Sequence, residues 1–275
     1  MEMRGVDMKE QIMLFIPMYN CEKQIPRVLK KLTAVRSYFS EIVVIDNRSN
    51  DRSIELAKKA LEEINDTATT LLRNAENYNL GGSHKVAFAY ALDQGYDYVV
   101  VLHGDDQGNI EDIVPHLQAE THRHYDSFLG SRFHKGSKLV GYSTFRTVGN
   151  IIFNFIISVV THHRITDMGS GLNIYKTSYL ADRFYLPFPN DLTFNVFMLF
   201  YGIWKRSPFA FFPLTWREDD QVSNARIFRQ AWIILGLTWR YSIGAKRLFS
   251  KSMENLNLMD YSFEEIYANK PKQQS

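Results

Sequence analysis

Apolar and polar positions fall into blocks along this chain, and the blocks have two periods. Ile12-Met-Leu-Phe-Ile16, Glu41-Ile-Val-Val-Ile45 and Tyr98-Val-Val-Val-Leu102 are apolar runs of strand length, each ended by polar or turn-forming residues. Such runs fit strands buried on both faces of a parallel sheet. Between them, residues 25–39, 53–64 and 79–92 place apolar side chains at helical spacing, as in Ile25, Val28, Leu29, Leu32 and Val35. A short run at 69–72 adds a further strand. The alternation predicts right-handed βαβ units and a doubly wound α/β sheet.

Beyond Ile113 the pattern is less regular. Strands are expected at 127–130, 172–175 and 209–216, and helices at 149–160 and 192–201. The apolar stripe at 149–160 is expected in the core, the usual place of such stripes. Residues 226–249 mix Arg and Lys with Trp, Ile and Leu at helical spacing. That fits a helix packed on the domain, or one lying on an anionic membrane surface. Residues 264–275 read as a frayed polar tail.

The 275 residues are 45% hydrophobic, enough for one large domain with an extension. A net charge of +2 gives no argument for nucleic acid. The single cysteine, Cys21, excludes an internal disulfide framework and fits a reducing compartment. The N-terminus has no signal-peptide core, and no apolar run reaches membrane-spanning length, since Asn154 and Ser158 interrupt 151–160. The expectation is a cytoplasmic protein, peripheral on the inner face of a membrane where it touches one.

Open α/β sheets bind ligands where the carboxyl ends of their strands meet. Here those ends carry Pro17, Tyr19, Asn20 and Glu22, then Asp46 and Asn47, then His103, Asp105, Asp106 and Gln107. Crowded carboxylates at such an edge repel one another, and a divalent cation with a phosphorylated ligand relieves the repulsion. Asp46 could serve a base or ribose, or cap the helix that follows. Gly81, opening a helix, could let a phosphate approach the backbone. The dinucleotide and P-loop glycine patterns are absent.

The order I-P-M-Y-N-x-E, V-V-I-D-N-R-S-N-D, N-x-G-G, V-V-V-L-H-G-D-D-Q, G-S-R-F, R-x-x-G-N and D-M-G-S-G-L-N-I-Y, over residues 12–225, resembles family-2 glycosyltransferases of the GT-A fold. Within them it is most like the polyprenyl-phosphate glycosyltransferases, the group of dolichyl-phosphate mannose synthase. The resemblance implies a Rossmann-like, mostly parallel sheet flanked by helices. It divides the chain into a catalytic domain at 10–225, with a donor half (10–115) and an acceptor half (116–225), and an extension at 226–275.

It further implies an inverting transfer from a UDP- or GDP-sugar to a lipid phosphate, with Mg²⁺ or Mn²⁺. Pro17, Tyr19, Asn20, Glu22, Asp46, Asn47, Gly81, Asp105 and Asp106 would line the donor site. Asp105 and Gln107 would hold the metal. His103 stands where the family has its first metal-binding aspartate. Arg132 and Arg146 would grip the acceptor phosphate, for which a planar guanidinium is suited, although each could instead form a structural ion pair. Asn150 stands where lipid-phosphate relatives often carry serine. A saccharide hydroxyl acceptor would need a carboxylate base, for which Asp167 and Asp191 are the candidates. A nucleotidyltransferase lacks its glycine-rich basic loop here, and an inactive nucleotide-sugar-binding protein is the remaining alternative. The C-terminal membrane helices of many relatives are not expected.

Overall fold

The computed structural model describes residues 10–218, 224–254 and 260–270. Strands β1 (Ile12–Met18), β2 (Glu41–Asp46), β3 (Ala68–Asn74) and β4 (Tyr98–Leu102) run parallel, linked by helices α1 (Ile25–Lys31), α2 (Ser53–Glu62) and α3 (Asn79–Gln94). The chain continues through α4 (Val114–Gln118), β5 (Ser127–Ser131), β6 (Lys138–Val140), α5 (Thr144–Thr161), β7 (Leu172–Lys176) and α6 (Thr177–Leu180). Then follow α7 (Phe194–Lys205), β8 (Phe209–Pro213), β9 (Thr215–Arg217), α8 (Asn224–Glu254) and β10 (Phe263–Asn269). The main sheet has the order β10-β3-β2-β1-β4-β7-β5-β8, and β6 and β9 form a small parallel pair. Only β7 and β10 run against the rest, so the sheet is mostly parallel, as the alternation predicts.

Every residue of β1, β2 and β4 is buried, because helices cover both faces. The pleat sorts their side chains into two cores. Met13, Phe15, Val43, Ile45, Val99 and Val101 pack with Phe88, Phe194 and Phe200. Leu14, Ile16, Ile42, Val44, Val100 and Leu102 pack with Val28, Leu29 and Leu61. Each such side chain removed from water contributes about 1.5–3 kcal/mol, and the two layers fix where the strand ends fall.

Four details differ from the expected elements. Helix α1 stops at Lys31, and 3₁₀ turns at Leu32–Ala34 and Arg36–Tyr38 carry the chain on, still burying Leu32, Val35 and Phe39. The run at 209–216 divides into β8 and β9, because Pro213 has no N–H for the ladder; the Leu214 N–H instead reaches the Ser131 carbonyl at 3.0 Å. Much of the expected polar tail is strand β10, which pairs antiparallel with β3 and covers an edge that would otherwise be open. Residues 271–275 of that tail, like the segment before Glu10, lie outside the described residues.

The fourth difference is α5. Its exposed residues include Phe145, Val148, Ile152, Phe155 and Val159, spaced three and four apart in one stripe, and only Asn154, Ile157 and Thr161 are buried. The expected core stripe is a surface. At 18 residues and mean hydropathy 1.3, α5 is also long and apolar enough to cross a membrane by length and composition. Asn154 and Ser158 do not interrupt it, because their side chains turn inward to the carbonyls of Thr166 (2.7 Å) and Ile165 (3.2 Å).

Candidate active site

The ends of β1, β2 and β4 are tied together by backbone hydrogen bonds. The Asn47 N–H donates to the Met18 carbonyl (2.8 Å), Gly104 to Pro17 (3.1 Å) and His103 to Gly171 (2.8 Å). A side chain at Gly104 would meet the Pro17 carbonyl at 2.9 Å, so only glycine lets these two exits approach. The exits and the start of α3 enclose a cleft of about 300 Å³ lined by Pro17, Met18, Tyr19, Cys21, Asn47, Asn77, Asn79, Leu80, Ser83, His103, Gly104, Asp105 and Leu192.

Of the residues predicted for the donor site, Pro17, Tyr19, Asn47 and Asp105 are therefore brought together, with His103 beside them. Asn47 is held in place: its side-chain oxygen accepts from Asn74 (2.9 Å) and the Tyr78 N–H (2.8 Å), and its amide donates to Asn77 (2.8 Å). Asp105 lines the cleft and is exposed to solvent there, with protein packed around its carboxyl group. That burial raises its pKa and Asp106 adds to the rise, against the backbone N–H of Gln107 and the charge of Arg132. Burial, then the nearby positive charge of Arg132, pushes His103 down to about 4, so its ring is neutral. Its Nε2 is buried and has no hydrogen-bond partner among the described residues. Burial also pushes the Cys21 thiol up to about 12, which makes it a packing residue.

Five expected donor residues are used elsewhere. Asp46 is fully buried and accepts the N–H groups of Arg48 (3.1 Å) and Ser49 (3.2 Å), ordering its own loop beside Arg73. Asn20 accepts the Asn50 N–H (2.8 Å) and Glu22 that of Arg52 (3.2 Å), so both brace the loop after β2. Asp106, in a left-handed turn, points to α1 and pairs with Arg27 (2.9 Å) and Lys31 (2.5 Å). The Gly81 N–H donates to the Asn190 carbonyl (2.6 Å), and a Cβ there would strike Phe194 and Pro189 at 2.7 Å. Gly81 is thus a close-packing site and its amide is not free for a phosphate. The sequence reading missed Met18, Cys21, Asn77, Asn79, Leu80, Ser83 and Leu192 as cleft residues. Asn77 and Asn79 precede the glycine pair, a signal that was available; Leu192 comes from a remote loop and has none.

Gln107 does not line the cleft. Its carbonyl accepts the Arg217 N–H (2.9 Å), and Asn109 donates to Thr215 (3.2 Å), which fastens the loop after β4 to β9. No cluster of three or more His, Cys, Asp or Glu able to hold a metal ion occurs among the described residues. A divalent cation would have Asp105 as its carboxylate and the orphaned His103 imidazole in the same cleft. That donor set fits an ion that takes most of its remaining ligands from a diphosphate and water.

Past β9 lies a second group. Arg132, following β5, forms a bidentate pair with Asp167 (2.8 Å for both contacts) and lies 5.2 Å from the Trp216 ring centre. Arg146, in the first turn of α5, stacks 4.7 Å from the Tyr142 ring centre and pairs with Glu218. Asn150 donates to Tyr142 (3.0 Å) and so steadies that ring. Burial pushes the pKa of Asp167 up, but the charge and hydrogen bonds of Arg132 outweigh it and hold the carboxyl below its usual value. Asp167 is therefore a poor general base. Asp191 accepts the Thr193 N–H (2.8 Å) in the turn before α7 and does not line the cleft.

The profile of the family described as "Glycosyl transferase family 2" matches residues 13–184. An undecaprenyl-phosphate mannosyltransferase of Micrococcus luteus is 27% identical, the match covering 62% of this chain and 68% of that protein. A UDP-N-acetylglucosamine–dolichyl-phosphate N-acetylglucosaminyltransferase of Methanococcus voltae is 26% identical over 62% of this chain and 70% of its own length. The chain spans between about half and seven tenths of the length of these and other curated relatives that it matches, such as 49% of an undecaprenyl-phosphate 4-deoxy-4-formamido-L-arabinose transferase of Salmonella paratyphi A. Among solved structures, glucosyl-3-phosphoglycerate synthase from Mycobacterium tuberculosis in complex with Mn²⁺, uridine diphosphate and phosphoglyceric acid superposes with a TM-score of 0.61. That match covers 86% of this chain and 79% of that one at 13% identity, a likeness of fold.

Proposed function

The chain belongs to glycosyl transferase family 2 and is a glycosyltransferase of the GT-A fold, and from that premise we propose that it moves a sugar from a nucleotide diphosphate to a polyprenyl phosphate, with inversion. The observation that carries this reading is the placement of Arg132 and Arg146 at the head of an exposed apolar helix, next to the cleft that holds Asp105. An acceptor with an anionic head and a greasy tail matches that surface. The relatives named for undecaprenyl and dolichyl phosphate acceptors support the same class.

In this reading the donor lies over Pro17, Tyr19 and Asn47 with its diphosphate toward Asp105. Asp105, with the His103 imidazole beside it, would hold Mg²⁺ or Mn²⁺, which when bound would supply positive charge against the diphosphate leaving group. Arg132 and Arg146 orient the acceptor phosphate, whose oxygen is largely ionised at neutral pH and needs no strong base. The lack of a free carboxylate at Asp167 or Asp191 agrees with this. The transfer is assigned to residues 10–225. The exposed faces of α5 and α8, the latter with Trp232 (73% exposed) and Trp239 (67% exposed), lie in the plane of a membrane surface, with Arg240, Lys246 and Arg247 against its anionic head groups.

The second reading, transfer to a saccharide hydroxyl, has one observation in its favour: both arginines already face carboxylates. Turnover of UDP- and GDP-sugars with Mn²⁺, offered undecaprenyl phosphate or free oligosaccharide, separates the two. Lipid-linked sugar is the expected product. Transfer to the oligosaccharide alone would remove the lipid-phosphate reading.

A further inference from the structure

Resting on the lipid-phosphate reading, we propose that Glu218 occupies the anion position of the acceptor site and thereby sets which phosphates can enter it. Glu218 directly follows β9 and is held by its own N–H to the Val140 carbonyl (3.0 Å). Its side chain is 7% exposed and pairs with Arg146, which is itself only 22% exposed. The Arg146 Nε has no hydrogen-bond partner among the described residues, so the guanidinium is not saturated by this contact. Arg132 lies close enough to feel the charges of both Glu218 and Asp167. Among the described residues each arginine thus pairs with one carboxylate.

The two pairs differ in kind. Asp167 grips Arg132 with two parallel hydrogen bonds and a third from the Arg132 backbone N–H (2.9 Å), an arrangement that fixes a side chain. Glu218 contacts Arg146 through one of its nitrogens. A phosphate arriving at Arg146 must exchange with a carboxylate, so its net gain is the difference between two charge-assisted contacts. Free phosphate brings nothing else and gains little. A phosphate on an isoprenoid also buries apolar surface against Phe145, Val148 and the rest of the α5 stripe. Glu218 therefore acts as a specificity residue that admits amphiphilic phosphates and holds out inorganic ones.

Inhibition of transfer by inorganic phosphate, at constant ionic strength, tests this in the wild type and in Glu218→Gln. The wild type should be inhibited by phosphate only at concentrations far above its KM for undecaprenyl phosphate. Glu218→Gln should lower the phosphate inhibition constant about tenfold or more, the scale of losing one charged competitor. Its KM for the lipid should fall less, and Glu218→Asp, which keeps the competing charge, should keep the phosphate inhibition constant closer to the wild-type value than Glu218→Gln does. A wild type inhibited by phosphate at concentrations near its lipid KM overturns the proposal without any variant. So does a Glu218→Gln protein with unchanged phosphate inhibition, and one that loses kcat at unchanged inhibition marks Glu218 as a base for a hydroxyl. The parent reading fails separately, if the wild type makes no lipid-linked sugar; phosphate binding by thermal shift then still tests Glu218.

Discussion

The two regions to which we assign donor and acceptor binding are built by different means. On the donor side, three fully buried strands deliver their ends into one cleft, and backbone hydrogen bonds between Met18, Asn47, Pro17 and Gly104 hold those ends in register. On the proposed acceptor side Arg132, Arg146 and Glu218 stand after a strand, at a helix start and at the end of a short two-stranded ribbon, and ion pairs orient their side chains. A sheet edge gives a rigid place for a diphosphate. Paired charges beside an exposed apolar helix give a place that a charged, greasy molecule can enter by exchange.

The sharpest way to break the comparison is in the cleft. Asp105→Ala should reduce sugar transfer on the order of a thousandfold, because the carboxylate that would hold the cation is gone. The fold should survive. The Asp105 carboxylate accepts the Gln107 N–H at 3.2 Å and ties no other element in place among the described residues, and desolvation already disfavours its charged form. Turnover with Mn²⁺ titrated across both proteins, with melting temperatures alongside, decides it. Residual turnover within tenfold of the wild type would separate the metal from Asp105.

The next largest effect belongs to the other half. Phe155→Glu replaces a ring that is 67% exposed in the middle of the α5 stripe. Vesicle binding should weaken about a hundredfold, from roughly 1.5–3 kcal/mol of lost apolar burial and about 1 kcal/mol of repulsion from anionic lipid. Melting temperature should hardly change, since most of the ring is already in solvent in the folded protein. Co-sedimentation with vesicles of anionic phospholipid measures the first and calorimetry the second. If the melting temperature drops and vesicle binding does not, α5 is covered by protein rather than lipid.

The two halves also differ in how far the sequence discloses them. The buried strands were legible because Ile12-Met-Leu-Phe-Ile16 and Tyr98-Val-Val-Val-Leu102 admit few other placements, and the positions of Asp105, Asn47 and Tyr19 follow from where those strands stop. What each polar group at an exit does was not legible. Asp46 ends β2 and Asp105 follows β4, the two strands that flank β1, yet one is folded into its own loop and the other opens into the cleft. That choice depends on turn geometry, which composition does not encode. The pairing of Arg146 with Glu218 joins positions 72 residues apart, and β10 joins β3 across nearly 200. Neither has a local signature. The exposure of α5 was misread because a helical stripe tells which face is apolar and says nothing of what covers it.

Asp106 offers the smallest effect and the most direct contest between motif and geometry. The motif reading puts it beside Asp105 in the donor site. The structure turns it away, with φ at +62°, onto Arg27 and Lys31 of α1, whose side chains are about half exposed. Such pairs contribute about 0.2–1 kcal/mol. Asn is the right replacement, because it tolerates the left-handed backbone that an alanine would strain, and it removes only the charge. The Asp106→Asn protein should lose no more than about 1 kcal/mol of stability and keep its donor KM within about twofold of the wild type. A tenfold rise in donor KM at unchanged stability would return Asp106 to the cleft, and the division of labour between the two adjacent aspartates would have to be redrawn.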